Sequence, residues 1–140
     1  MRVVLDTNVL IAAALKGGLS EQILRLAASR HLHLIVSEEI IKELAEKLSS
    51  KFAWKEDEVY LYTETLREIS EIVTPSEKLN VISSDPDDNK ILEAALKGKA
   101  ELIVSIDQDL IKLKNYKGIG IVHPKTLTWI LPKLFEDNKK

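Results

Sequence analysis

The chain of 140 residues contains no cysteine, which excludes disulfide bonds and thiolate chemistry. It also lacks any apolar run approaching the roughly 20 residues that a membrane helix needs. The first apolar run, residues 3–5, meets a charge at Asp6, so it cannot form the core of a signal peptide. These absences predict a cytoplasmic protein that does not associate with a membrane.

The chain has little excess charge of either sign, since 20 Lys and Arg residues against 22 Asp and Glu residues give a formal net charge of -2. Nucleic-acid binding usually relies on clustered Lys and Arg. If the substrate is a nucleic acid, something other than a basic surface must supply positive charge near the scissile phosphate, and bound metal ions could do so. The 45% hydrophobic and 30% charged residues are typical of a folded protein, and we expect one domain over residues 1–140.

Apolar segments of two kinds alternate along the chain. Strands are predicted at residues 2–5, 33–36, 102–106 and 119–122, with a further short strand at 80–82. Helices are predicted at residues 9–15, after Ser20, after Ser37, over 55–72, from 84 to 97 and over 125–134. This alternation favours a three-layer α/β/α domain with a mainly parallel central sheet.

Two aspartates, Asp6 and Asp107, directly follow predicted strands. In parallel α/β sheets, ligands bind beyond the carboxyl ends of the strands, so both acids are candidates for a site at that edge. Considered alone, Asp6 is equally well explained as the N-cap of the next helix. Asp107 is equally well explained as the start of a turn over residues 107–109.

A third acid, Asp88, lies in line with an apolar stripe on its helix. The positions three, four, seven and eight residues later hold Ile91, Leu92, Ala95 and Leu96. Because this stripe should face the sheet, Asp88 is predicted to point inward, where a carboxylate needs a partner. Asp85 and Asp87 are predicted to be solvated acids that complement the helix dipole.

Glu43 borders the apolar stripe of the helix that follows Ser37. Spacing alone favours an exposed ion pair with Lys47, four residues later, over a role in a site. Glu39 and Glu46 are predicted to be surface residues.

Several carboxylates that meet at one sheet edge repel each other unless they are protonated or bind cations. Oxygen-only ligands, without Cys or paired His, suit Mg²⁺ or Mn²⁺ rather than Zn²⁺. Such a site fits two-metal phosphoryl chemistry, in which one ion lowers the pKa of an attacking water and the other stabilises the leaving oxygen.

With these residues in place, the chain resembles the PIN-domain family, particularly the VapC-like toxins of prokaryotic toxin–antitoxin pairs. Four segments, in the family's order and spacing, carry the resemblance over nearly the whole chain: residues 3–10, 37–44, 85–95 and 103–110. The resemblance implies metal binding and catalysis by Asp6, Glu43, Asp88 and Asp107, and so makes Glu43 a ligand. Ser105 stands where the family usually has Thr and keeps the hydroxyl, and Asp109 assists from the same loop.

The resemblance further implies an endoribonuclease that depends on Mg²⁺ or Mn²⁺ and cleaves single-stranded or structured RNA. It also implies a homodimer and an antitoxin protein that blocks the site. Composition and spacing indicate neither the RNA preference nor the antitoxin.

Other functional classes fit less well. A phosphatase of the haloacid dehalogenase type needs a second Asp two residues after the first, and Asn8 is found there. A receiver-type signalling domain needs an adjacent acid pair at the first strand end, where only Asp6 is present. A catalytically silent PIN-like interaction module is the third alternative, and the presence of all four acids argues against it.

The remaining polar and aromatic residues give no specific functional signal. His31, His33 and His123 share no metal-ligand spacing and are predicted to be ordinary histidines. Three aromatic residues could stack on bases: Trp54, Tyr60 and Tyr62. Packing on the long helix or at a subunit interface is the favoured role for them. Four basic residues are candidates for phosphate contacts, and the sequence does not favour any one of them: Lys16, Arg25, Arg30 and Lys42.

Overall fold

The computed structural model describes residues 1–82 and 87–136, and a six-stranded sheet forms the centre of this part of the chain. Its strands are β1 (Arg2–Leu5), β2 (His33–Ser37), β3 (Ser70–Val73), β4 (Leu102–Val104), β5 (Asn115–Tyr116) and β6 (Ile119–Val122). Their order across the sheet is β3-β2-β1-β4-β6-β5, and all neighbours are parallel except β5 and β6. β1 therefore lies inside the sheet, paired with β2 and β4, with two strands on one side of it and three on the other.

Helices connect these strands and give the predicted three-layer α/β/α arrangement. In the described residues they are α1 (Thr7–Leu15), α2 (Gly18–Ala28), α3 (Glu38–Ser50), α4 (Glu56–Ile69), α5 (Asp88–Lys97), α6 (Gln108–Ile111), α7 (Pro124–Ile130) and α8 (Pro132–Phe135). Within residues 1–82 and 87–136, no helix has the length and apolar character needed to cross a membrane.

The core lies along the central strands. Val3, Val4 and Leu5 are at most 1% exposed, which means that both faces of β1 are covered. Ile35 on β2 and Ile103 on β4 are also fully buried. Each such side chain contributes roughly 1.5–3 kcal/mol by leaving water, so the apolar runs that predict the strands also fix β1 in the middle of the sheet.

The largest error in the sequence prediction concerns the long helix, which was expected over residues 55–72. The helix ends at Ile69, and residues 70–73 form β3, parallel to β2 at the edge of the sheet. Ile69, Ile72 and Val73 fit a helical stripe as well as a strand, so periodicity could not separate the two.

Three smaller boundaries also differ from prediction. α2 begins at Gly18 with Gly17 (φ 72°) as its N-cap, so Ser20 is not the cap. Residues 80–82 form no strand; instead, the N–H groups of Val81 and Ile82 both donate to Asn89 Oδ1 at 2.9 Å. The terminal helix is divided in two at Leu131, before Pro132. The predicted start of the helix at residues 84–86, with Asp85, lies outside the described residues.

Candidate active site

Asp6 lies at the carboxyl end of the central strand and is 3% exposed. Its backbone N–H donates to Val104 O at 2.9 Å, which continues the pairing of β1 with β4. Its carboxylate accepts a hydrogen bond from Ser105 Oγ at 2.8 Å. Asp6 is the N-cap residue of α1, but its side chain makes no capping hydrogen bond, and the N–H groups of Thr7 and Asn8 are near enough only to lower its pKa. Capping therefore does not account for this acid. The carboxylate contacts the neighbouring strand instead.

Ser105 joins Asp6 to the loop that carries Asp107. The fully buried Ser105 hydroxyl donates to Asp6 Oδ2, and Ser105 Oγ accepts from the Asp107 N–H at 2.9 Å. Asp107 Oδ1 in turn accepts from the Asp109 N–H at 2.8 Å, so Asp107 caps the short helix α6 as the turn interpretation predicts. This continuous chain of hydrogen bonds links the carboxylates of Asp6 and Asp107 to each other and to the backbone at Asp109.

The first turn of α5 brings Asp88 to the same edge of the sheet. Asp88 is 6% exposed, whereas the side chain of Asp87 is 56% exposed and forms an ion pair with Lys90 at 3.3 Å. The helical stripe therefore correctly predicts which of the two acids points inward. One carboxylate oxygen from each of Asp88, Asp107 and Asp109 lies within 4.8 Å of the others.

Glu43 approaches the site from α3 and is 9% exposed. Its Oε1 atom accepts a long hydrogen bond from Thr7 Oγ1 at 3.4 Å and lies 3.8 Å from Lys47 Nζ. The ion pair that spacing favours is thus present, but Glu43 is buried rather than exposed. Thr7 immediately follows Asp6, so Glu43 lies beside the first acid.

Burial raises the pKa of the Asp6 carboxyl, and the negative charge of Asp107 raises it further. The Ser105 hydrogen bond lowers this pKa, as do the nearby N–H groups of Thr7 and Asn8 to a smaller extent. The pKa of Glu43 is raised as well, chiefly by burial and also by the charges of Asp87 and Asp6, against the lowering effect of Lys47 and Lys90. The site therefore favours either a proton or a cation on these acids.

The donor chemistry fits a hard divalent cation. Asp88, Asp107 and Asp109 offer carboxylate oxygens at close range, with neither His nor Cys among them. Asp6 and Glu43 do not join this close group. Asp6 is linked to Asp107 through Ser105, and Glu43 is hydrogen-bonded to Thr7, the residue after Asp6. The sequence predicts only an assisting role for Asp109. The signal that could have identified it as a member of the close group is its position two residues after Asp107, across a turn.

The other residues singled out in the sequence have local partners. His31 hydrogen-bonds to Ser29, His33 to Glu71, and His123 caps α7. Tyr62 donates to Leu10 O at 2.7 Å and packs edge-on against Trp54, with ring centroids 5.9 Å apart. These two rings pack as predicted, whereas Tyr60 is 65% exposed.

Comparison with known proteins agrees with this architecture. The family model of the PIN domain matches residues 2–109, a range that includes every acid described above. No curated protein sequence matches the chain. Among solved structures, the chain is similar to one in VapBC2 from Rickettsia felis bound to a DNA fragment from its promoter. That likeness has a TM-score of 0.62 and 18% identity, and it covers 86% of this chain and 97% of that chain. Because the family model matches most of its length, this chain belongs to the PIN-domain family.

Proposed function

We propose that the chain is an endoribonuclease that depends on Mg²⁺ or Mn²⁺. The observation that carries the proposal is the close group of carboxylate oxygens from Asp88, Asp107 and Asp109, within 4.8 Å of one another, at the edge of the sheet where Asp6 follows β1. Membership of the PIN-domain family supports the same activity. Burial, and to a smaller extent neighbouring carboxylates, raise the pKa of Asp6 and Glu43, which favours a catalytic site over a binding module without catalysis.

Five carboxylates of the chain would have different roles in holding the cation. Asp88, Asp107 and Asp109 would be the close ligands, while Asp6 and Glu43 would complete the donor set from β1 and α3. A divalent cation, when bound there, supplies the positive charge that activates water and stabilises the leaving oxygen of a phosphodiester. The five carboxylates would hold that cation at this edge of the sheet.

Ser105 and Thr7 would keep the donors in place. The Ser105 hydroxyl holds Asp6 Oδ2 at 2.8 Å and, through the Asp107 N–H, also fixes the start of the loop. Thr7 holds Glu43 Oε1 at 3.4 Å. Hydrogen bonds of this kind orient ligands before the cation arrives and commonly contribute a factor of about 10–100 to metal affinity.

The biological setting that we propose is that of a VapC-like toxin, active on RNA, homodimeric and blocked by a partner antitoxin. The support is the family match together with the fold likeness to a chain of the VapBC2 complex. The proposed location remains the cytoplasm.

The direct experiment incubates the purified chain with single-stranded RNA, single-stranded DNA and duplex DNA, each with Mn²⁺ and with EDTA. We expect cleavage of RNA that requires Mn²⁺ and is lost in EDTA. Cleavage that persists in EDTA would contradict the metal mechanism. Tight binding of RNA or protein without any cleavage in Mn²⁺ would instead identify the silent interaction module.

A further inference from the structure

A cleft of about 270 Å³ opens beside Glu43, outside the close group of aspartates. Helices α3 and α5 form its walls, and the residues that line it are Glu39, Lys42, Glu43, Glu46 and Lys90. One of the proposed metal ligands, Glu43, thus lines the cleft. A strand of nucleic acid that places one phosphate at the acids must pass its neighbouring phosphates through the space around them.

Three lysines lie beside the cleft: Lys42 and Lys90 line it, and Lys47 contacts Glu43, which also lines it. Lys47 Nζ lies 3.8 Å from Glu43 Oε1, and Lys90 Nζ lies 3.3 Å from Asp87 Oδ1. Their side chains are only 27% and 32% exposed, so they are held against the acids rather than extended into solvent. Lys42 is exposed and lines the same cleft as Lys90.

We propose that Lys42, Lys47 and Lys90 form a phosphate-binding subsite that positions the RNA strand beside the scissile bond. This inference rests on the proposed ribonuclease function. The net charge of the chain is -2, so a local group of lysines would supply positive charge for the RNA strand. The three lysines are positioning residues, because they act on the flanking phosphates and not on the reacting atoms.

The charges in the cleft make phosphate binding depend on the cation. Without a cation, Lys47 is engaged by Glu43, and Lys78 offsets Glu39 through an ion pair at 2.6 Å. If Glu43 served as a ligand of a bound cation, its negative charge would be offset there, and Lys47 would be free to turn toward a phosphate, while Glu46 would keep its charge in the cleft. The long, flexible Lys side chain allows this movement while the helix stays fixed.

The other basic candidates lie elsewhere or are already engaged. Arg25 pairs with Glu21 at 2.8 Å, and Arg30 donates to the carbonyl oxygens of Glu68 and Ile69 next to the amino end of β3. Lys16 follows the last residue of α1, roughly 13 Å along that helix from the end at Asp6. Of the four residues that the sequence left open, Lys42 alone lines the cleft beside Glu43.

The test measures equilibrium binding of a fluorescently labelled single-stranded RNA of about 12 nucleotides. Binding is monitored by fluorescence anisotropy in Ca²⁺, and a gel checks that the RNA stays intact. The variants are Lys42→Gln, Lys47→Gln and Lys90→Gln. Matched controls are Lys51→Gln and Lys97→Gln, at the opposite ends of α3 and α5. We expect each cleft variant to weaken binding roughly threefold to tenfold and to reduce the salt slope of log Kd by about 0.7, with controls unchanged.

Kinetics in Mn²⁺ should show a raised KM with kcat largely retained, because these contacts stabilise ground state and transition state alike. Lys47→Arg should restore binding if charge is the requirement. The subsite is wrong if the cleft variants and the controls bind RNA with equal affinity and salt slope while the native chain still cleaves it. If the native chain neither binds nor cleaves RNA in any cation, the proposed function itself fails.

Discussion

At the scale of single residues, the site depends on which side of a helix or strand each carboxylate faces. Asp88 is 6% exposed and belongs to the close group of acids, while the adjacent Asp87 is a solvated partner of Lys90. Neighbouring residues on a helix point about 100° apart, so the two acids cannot exchange roles without a change of register.

This difference gives a sharp comparison between two substitutions of the same type. Asp88→Asn should reduce Mn²⁺-dependent RNA cleavage by about a hundredfold or more, because it removes a ligand oxygen. Asp87→Asn should change the rate by less than about threefold, since an exposed ion pair contributes little. Initial cleavage rates of the two purified variants provide the measurement. If Asp87→Asn were the more damaging change, the assignment of Asp88 as a ligand would be wrong.

Most of these acids could be identified from the sequence, because a strand end or a helical stripe marks them locally. Asp6, Asp88 and Asp107 each carry such a mark, and the family resemblance added Glu43. The hydrogen bond between Ser105 and Asp6 joins residues 99 positions apart, and no local pattern encodes it. The missing capping hydrogen bond of Asp6 is likewise visible only in the structure.

At the scale of elements, α5 matters most, because its first residue belongs to the site and its last turn packs on the sheet. A Cβ atom added at Gly98, the C-cap of α5, would come within 2.6 Å of Ile35 Cγ2 on β2 and 3.2 Å of Ala94 O. The close approach of the helix end to the sheet therefore requires glycine at this position.

Gly98→Ala should lower the free energy of unfolding by about 1–3 kcal/mol, because a well-packed core must shift to admit the methyl group. Lys97→Ala, one residue earlier and exposed, should stay within about 0.5 kcal/mol of the native chain. Urea denaturation of both variants measures the difference. Equal stability of Gly98→Ala and the native protein would show that α5 does not pack this closely on β2.

The errors in the elements have a common physical origin. β3 continues directly from α4, and its residues 70–73 pair with β2 through contacts about 36 positions away in sequence. β5 is two residues long and is defined only by its pairing with β6. Where long-range pairing determines whether a segment is helix, strand or loop, local periodicity does not predict its structure. β1 and β4 are strongly apolar, so their sequences alone predict strands.

At the scale of the whole molecule, the acid edge makes stability depend on protons and cations. Burial and the charge of Asp107 raise the pKa of Asp6 in the folded state. The folded chain then binds the Asp6 proton more tightly than the unfolded chain, so stability is lost as pH rises from the unfolded pKa through the raised folded pKa. In EDTA at pH 7, Asp6→Asn should therefore melt at the same temperature as the native chain or higher, and this advantage should shrink as pH falls through that window.

The central claim is that these acids form a cation site that is required for cleavage, and Asp6→Asn tests it most directly. Calorimetric titration with Mn²⁺, paired with an RNA cleavage assay on the same samples, compares this variant with the native chain. The account predicts Mn²⁺ binding and cleavage by the native chain and neither by the variant, which nevertheless keeps its thermal transition. Full cleavage of RNA by Asp6→Asn would contradict it.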